Sequence, residues 1–323
     1  MANGILILAE HLKGSLADIT FEMLGAGRKL ADARQVPLHV ALVGQGAGAV
    51  TAGLGLADAV FVVETPDAGV PSADTVAAAL QGLVEQKQAA LVMIGWTNLS
   101  MGVGSVLSAR AGLPFVNFAR EVRAEGGGLR VTSQLFGGKI LSDVLLPDGR
   151  GIVGISAGAF PADAGRSDKP PAVETVAVPL ATPRIAFRAF IEPETGDVDI
   201  TKQDVLVAVG RGIQTQDNIG LAEELAAALG AVTCGSRPVV DQSWMPLSRQ
   251  VGKSGMSVKP RLYLAVGISG APEHVEGMQN SQTIIAINTD ANAPIFDVAK
   301  YGVCGDALEI VPALTEKIKA RKG

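Results

Sequence analysis

Cysteine, tryptophan and tyrosine occur twice each in 323 residues, and histidine three times. Cys234 and Cys304 form neither a CxxC pair nor part of a four-cysteine set, and no His/Cys cluster stands at metal-ligand spacing. That excludes a thiolate-held zinc or an iron–sulfur cluster, so no metal is expected. Both thiols lie in apolar or glycine-rich surroundings and are expected to be buried. No stretch approaches the ~18 uninterrupted apolar residues of a membrane span. A cationic excess is also missing: 27 Lys and Arg stand against 32 Asp and Glu, a formal charge of −5. Neither nucleic acid nor an anionic membrane surface is therefore attracted globally. The opening Met1-Ala-Asn-Gly-Ile-Leu-Ile-Leu-Ala-Glu10 lacks the basic flank of a secretory leader and its apolar run stops early, so it reads as a first strand, and the expected location is cytoplasmic.

What the chain does contain is apolar residues (48%) and glycine (39 copies), with only 18% charged residues. This composition suits an α/β protein with buried parallel strands and tight turns, and the length suggests two domains. Strand-like and helix-like segments alternate in the first half: strands at Ile5–Ala9, Leu38–Val43, Ala59–Glu64 and Ala90–Gly95, with helices around Ala17–Asp32 and Ser72–Gln86. This βαβ order predicts a Rossmann-like, mostly parallel sheet. Val122–Val131 reads as a glycine-turned hairpin that adds antiparallel strands. A Pro- and charge-rich stretch, about 165–203, reads as a linker, with the boundary near residue 195 between domains 1–195 and 196–323. The second domain is expected to be a doubly wound parallel sheet. Its strands are Val205–Val209, Ala231–Cys234, Leu262–Val266, Ile284–Asn288 and Ala307–Val311. A helix opened by Asp217 and closed by Gly230, and a basic-ended helix Ala313–Arg321, complete it.

The most informative segment is Leu262–Gly277. An apolar strand empties into Gly267-Ile-Ser-Gly-Ala271 and then a helix, the arrangement that aims backbone N–H groups at a phosphate. The same glycines would equally make a tight βα connection. His274 on the helix and Asn288 at the end of the next strand add side-chain donors at strand carboxyl ends, where open α/β sheets bind ligands. No Ser-His-Asp order is present. Gly252-Lys-Ser-Gly255 resembles the tail of a phosphate-binding loop but lacks the upstream glycine. Glu223-Glu224 reads as a solvated helix face. Gly95–Gly102 accommodates either a small anion or an ordinary βα loop.

Five ordered motifs resemble the signature of electron transfer flavoprotein alpha subunits of the bacterial form: Val209–Gly212, Gly235-Ser-Arg237, Gln250–Gly255, Leu262–Gly277 and Ile284–Asp290. The close likeness covers about a third of the chain, from roughly Asp204 to Pro312; the N-terminal part matches in layout. The resemblance implies FAD as cofactor of the second domain. It also implies a set of contacts: Arg211, Ser236 and Arg237; the loop Gln250, Val251, Gly252, Lys253 and Ser254; the turn Ser269, Gly270, Ala271, Pro272, Glu273 and His274; Asn288; and, near the adenosine end, Asp306 and Ala307. Among these, Arg237 over the isoalloxazine, the Ser254 hydroxyl at N5 and His274 at the pyrimidine carbonyl near N1 are implied to tune the potential, with no acid–base catalyst needed.

Departures from the family pattern are Lys253 for glutamine, Met256 for lysine, Ser254 for threonine, Pro272-Glu273 for Ile-Gln and Thr289 for lysine. Lys253 raises the flavin potential if it points at the ring and does nothing if it points to solvent. The implied activity is electron carriage between flavin dehydrogenases, such as acyl-CoA dehydrogenases, and a quinone oxidoreductase or other acceptor. The implied partner is a smaller beta subunit holding AMP or a second FAD. Three alternatives stay open at this level: an electron-bifurcating subunit using NADH, a NAD-dependent oxidoreductase, and a flavin-less structural partner. Gly210-Arg-Gly212 lacks the third glycine of the dinucleotide fingerprint, which argues against the second.

Overall fold

A computed structural model describes residues 4–66, 69–180, 184–190 and 198–322. The chain divides into two compact units, Met1–Phe190 and Ile191–Gly323. The boundary expected near residue 195 lies outside the described residues.

The first unit begins with β1 (Gly4–Leu8), whose Ile5 and Ile7 enter one core and Leu6 and Leu8 another. Burial on both faces is what a central parallel strand requires. A short clip, β2 (His11–Leu12) with β3 (Ser15–Leu16), leads to α1 (Asp18–Arg34), which lays Ile19, Met23 and Leu24 on the Ile5 side. There follow β4 (Leu38–Val43), β5 (Ala59–Val63), α2 (Ala73–Lys87) and β6 (Ala89–Trp96). The Ser72 hydroxyl caps α2 by accepting from Thr75 N at 3.2 Å, and Ala77, Leu80 and Leu83 cover Leu6 and Leu8. After α3 (Val103–Ala111) come β7 (Phe115–Glu125), β8 (Gly128–Leu135), β9 (Ile140–Leu146), β10 (Gly151–Ser156) and β11 (Val173–Thr175). The sheet order is β11-β5-β4-β1-β6-β10-β7-β8-β9, parallel except for β7-β8-β9. The expected glycine-turned hairpin is β7–β8, with Gly126 and Gly127 at φ +56° and +87°. Part of the stretch read as linker belongs to this unit: β11 pairs with β5, and Val176 is buried beside β1 and α2.

The second unit contains β12 (Val205–Val209), α4 (Ile219–Leu229), β13 (Val232–Gly235), α5 (Arg237–Asp241), β14 (Leu262–Val266), α6 (Pro272–Glu276), β15 (Ile284–Asn288), β16 (Tyr301–Cys304) and α7 (Ala307–Lys322). Its sheet is wholly parallel in the order β13-β12-β14-β15-β16. Val207, Val209, Leu264 and Val266 face Leu225 of α4, Val239 of α5 and Val311 of α7. Their neighbours Leu206, Ala208, Tyr263 and Ala265 are covered instead by Val251, Ile268, Met278 and Ile295, which lie outside the long helices. One face is therefore helix-clad and the other is closed by loops and the one-turn α6.

Four expectations need correction. Ala307–Val311 is not a strand but the first turn of α7; Asp306 Oδ1 accepts from Leu308 N at 2.9 Å, the bond of a helix start. The fifth strand is β16 instead, and the helix expected from Ala313 begins six residues earlier, with Pro312 inside it. The helix expected to open at Asp217 starts after a 3₁₀ turn, Gln216–Asn218, and Asn218 uses its amide to bond Ile213 O at 2.9 Å. Cys304 is exposed rather than buried, because β16 is an edge strand, whereas Cys234 is buried as expected.

Candidate functional site

β12 stands where the strand order reverses, with β13 on one side and β14 on the other. Beyond the carboxyl ends of these strands lies a cavity of about 740 Å³. Glycine makes the space. Gly210 N donates to Val266 O (2.8 Å) and Gly212 N to Gly267 O (3.0 Å), stitching the β12 and β14 exits together. Gly267 has φ +64°, and a Cβ there would lie 2.7 Å from Gly212 C, so no other residue fits without displacing backbone. On the opposite wall Gly252 has φ +139°, and its Cβ would lie 2.9 Å from Glu273 O. Lys253 N donates to Glu273 O at 2.7 Å, fastening the 250–256 loop to α6.

Twelve of the implied contacts line this cavity: Arg211, Ser236, Arg237, Val251, Gly252, Lys253, Ser254, Ser269, Ala271, Glu273, His274 and Asn288. Gln250, Gly270, Pro272, Asp306 and Ala307 do not. Gly270 (φ +86°) shapes the turn, and a Cβ on it would lie 2.6 Å from Ile295 Cα. Pro272 opens α6, Asp306 caps α7, and Ala307 is buried in the helix-clad core. Sequence reading gave no role to Pro238, Ile268 or Asp290, which also line the cavity. Ile268 and Asp290 stand inside motifs already singled out, and Pro238 is signalled only by following Arg237.

Ser236 is buried at the start of α5 and makes no capping bond, leaving its hydroxyl to the cavity. Arg237 is 68% exposed and holds Asp241 at 3.3 Å in a surface ion pair, while also lining the cavity. Lys253 Nζ stands 3.6 Å from Glu276 Oε2, so its charge is met by a carboxylate. The Asn288 side chain is engaged twice within the protein, donating to Ile268 O (2.8 Å) and accepting from Asp290 N (2.9 Å). It holds the β14 and β15 exits in register, with one amide hydrogen left over.

His274 is buried, and its Nε2 lies 2.9 Å from the Tyr263 hydroxyl. Nδ1 is sealed from solvent and has no hydrogen-bond partner. Burial pulls its pKa down to about 4, against a smaller upward pull from the Val251 backbone. The imidazole is neutral at pH 7. Burial pushes the Cys234 thiol, beside Tyr263, up to about 12, so that thiol is inert.

The cavity therefore offers a glycine-walled cleft at a reversal of strand order, with three cations against two carboxylates (Glu273 and Asp290) in its lining. These features fit a nucleotide cofactor.

Comparison with known proteins accords with this. Residues 199–279 match the model of the electron transfer flavoprotein FAD-binding domain, and residues 5–181 that of the electron transfer flavoprotein domain. The chain is 32% identical over 322 residues to the electron transfer flavoprotein subunit alpha of Bacillus subtilis, covering 99% of this chain and 98% of that protein. It is 36% identical to the Mycobacterium tuberculosis subunit alpha, with 99% of each chain covered. It is 34% identical to the acryloyl-CoA reductase electron transfer subunit beta of Anaerotignum propionicum, covering 98% of this chain and 96% of that one. With both family domains present and relatives aligned from end to end, the chain belongs to the electron transfer flavoprotein alpha-subunit family.

Proposed function

We propose that the cavity beyond β12 and β14 holds the FAD of a two-subunit electron carrier, and that the chain works with a smaller beta subunit. The observation that carries this reading is the order of side chains along the strand ends. Across β13-β12-β14-β15-β16 they run Ser236, Arg211, Ser269, Asn288 and Asp306. Asp306 stands outside the lining, so the lined part runs from Ser236 to Asn288: three strand spacings of ~4.8 Å, roughly 14 Å, an extended cleft rather than a pocket for a single small ring.

FAD, when bound, supplies the electron-accepting and electron-donating chemistry; the chain's residues bind and bias it. Arg237 and Ser236, on the β13 side, and Ser254 face the isoalloxazine end, and Asp306 stands toward the adenosine end. The exposed Arg237 guanidinium is free to leave Asp241 at small cost, because such surface pairs contribute little, and to lie over an electron-rich ring. Arg211 balances the pyrophosphate, helped by backbone N–H groups of the Gly267–Ala271 turn. His274, neutral and tied to Tyr263, shapes the wall without adding charge. Lys253, neutralised by Glu276, shifts the potential less than a lone lysine would.

Electron donors of the flavin-dehydrogenase class and an acceptor such as a quinone oxidoreductase belong to this reading, as does a cytoplasmic location. Among the described residues no helix is long and apolar enough to cross a membrane. The test is an anaerobic reductive titration of the chain purified with its small partner. The expected result is a set of flavin absorption bands that bleach on reduction and return when an electron acceptor is added. A colourless protein that FAD cannot reconstitute would overturn the proposal.

A further inference from the structure

Gln250 does not line the cavity, although each of the next four residues does. It is 3% exposed and lies behind Ser254, and its Nε2 donates to Ser254 Oγ at 3.0 Å. Its backbone is fixed on both sides: Gln250 N donates to Leu247 O (3.1 Å), Gln250 O accepts from Met256 N (2.7 Å), and the residue bridges to Gly235 at the end of β13. Ser254 has no such support. It is exposed on a turn closed by Gly255 N to Gly252 O at 2.9 Å, and a serine side chain has three staggered χ1 wells with no second γ atom to choose among them. The turn folds back tightly on Gln250, since a Cβ on Gly255 would lie 3.0 Å from Gln250 Cβ.

We infer that Gln250 is a positioning residue that sets both the rotamer and the polarity of the Ser254 hydroxyl. An amide N–H pointing into one lone pair of Oγ selects the rotamer that accepts it. It also turns the hydroxyl hydrogen away from Gln250, so that Ser254 presents a donor to the cavity. The buried side chain thus supplies the restriction that the methyl of a threonine would supply sterically. This inference rests on the reading of the cavity as the FAD site and adds to it a residue that never touches the cofactor.

The test is a double-mutant cycle on FAD affinity and on the flavin absorption maximum, in the complex with the partner subunit. Gln250→Met keeps the length and apolar bulk and removes the N–H. It is expected to weaken FAD about 5-fold, the loss of one hydrogen bond's worth of orientation, and to shift the absorption maximum. In a Ser254→Ala background the same change is expected to alter affinity less than ~2-fold. Ser254→Thr combined with Gln250→Met should restore both readings. If Gln250→Met does not fold, Gln250→Glu retains the shape and reverses the hydrogen bond, and its effect should likewise vanish with Ser254→Ala. Equal weakening with and without the Ser254 hydroxyl, or a folded Gln250→Met with unaltered FAD affinity, would overturn the inference while leaving the FAD site standing. A wild-type complex that takes up no FAD would overturn both.

Discussion

β1 and β12 occupy the same place in their respective sheets, each at the point where the strand order reverses. Behind β12 the place is lined by Gly210, Gly212 and Gly267 and opens into about 740 Å³; behind β1 the comparable space is about 50 Å³. Glu10 fills it. Its carboxylate accepts from Thr97 Oγ1 at 2.8 Å and from Ser100 Oγ, and a Cβ on Gly95 would collide with it. Burial raises the Glu10 pKa, partly opposed by the Ser100 and Thr97 hydroxyls. A phosphate ~4 Å from that carboxylate, when ionised, would be repelled by about 4 kcal/mol in a partly buried setting, which weighs against the anion reading of the Gly95–Gly102 loop. The α/β topology supplies a location at each reversal, and the volume and charge of a few side chains decide whether a ligand takes it.

The comparison is broken most severely by closing the open end. Gly267→Ala should cost roughly 2–4 kcal/mol through its positive φ and the contact with Gly212, and should weaken FAD about 100-fold or more if that strain is relieved by opening the cleft. Equilibrium dialysis with FAD and thermal unfolding check both.

Emptying the filled end should do less. Glu10→Ala is expected to lose about 1–3 kcal/mol, since the Thr97 and Ser100 hydroxyls are left without their acceptor, while FAD affinity stays unchanged. Glu10→Gln sharpens the point through pH. A carboxyl with a raised folded pKa holds its proton longer in the folded state, so the wild type loses stability as pH rises from 4.5 through that raised value. The glutamine variant should lack this fall in a denaturation series.

His274 gives the opposite slope at the open end. Its folded pKa of about 4 lies below the ordinary 6.5, so stability contributed by the neutral ring is complete above pH 6.5 and is lost as pH falls toward 4. His274→Gln should flatten that acid limb. Smallest in stability is Arg237→Ala, under ~0.5 kcal/mol because the Asp241 pair is exposed. It should nevertheless lower the flavin reduction potential, by on the order of 1 kcal/mol of redox free energy; an unchanged potential would leave Arg237 a surface residue.

Strands buried on both faces were legible: Leu38–Val43, Val205–Val209, Leu262–Val266 and Ile284–Asn288 end where their apolar runs end. Short runs were not. Ala307–Val311 has the length and apolarity of a strand, and only the Asp306 cap distinguishes it as a helix start. Tyr301–Cys304 carries a glycine and no polar alternation, yet forms the edge strand, exposing Cys304. In the candidate site, motif residues on strand ends were legible because the sheet order brings them together. Gln250 and Asn288 were read as ligand contacts; that Gln250 instead stands behind Ser254, and that Asn288 in the lining also ties the β14 exit, no spacing reveals. Tyr263 fills an ordinary core position in the sequence pattern, and its bond to His274 exists only in three dimensions.

The claim that separates the two strand ends is tested most directly by counting flavin in matched variants of the complex. Absorbance at the flavin band, against protein concentration, should give FAD bound to the wild type and to Glu10→Gln, and a loss of that FAD in Gly267→Ala. FAD retained by Gly267→Ala and lost from Glu10→Gln would contradict the account.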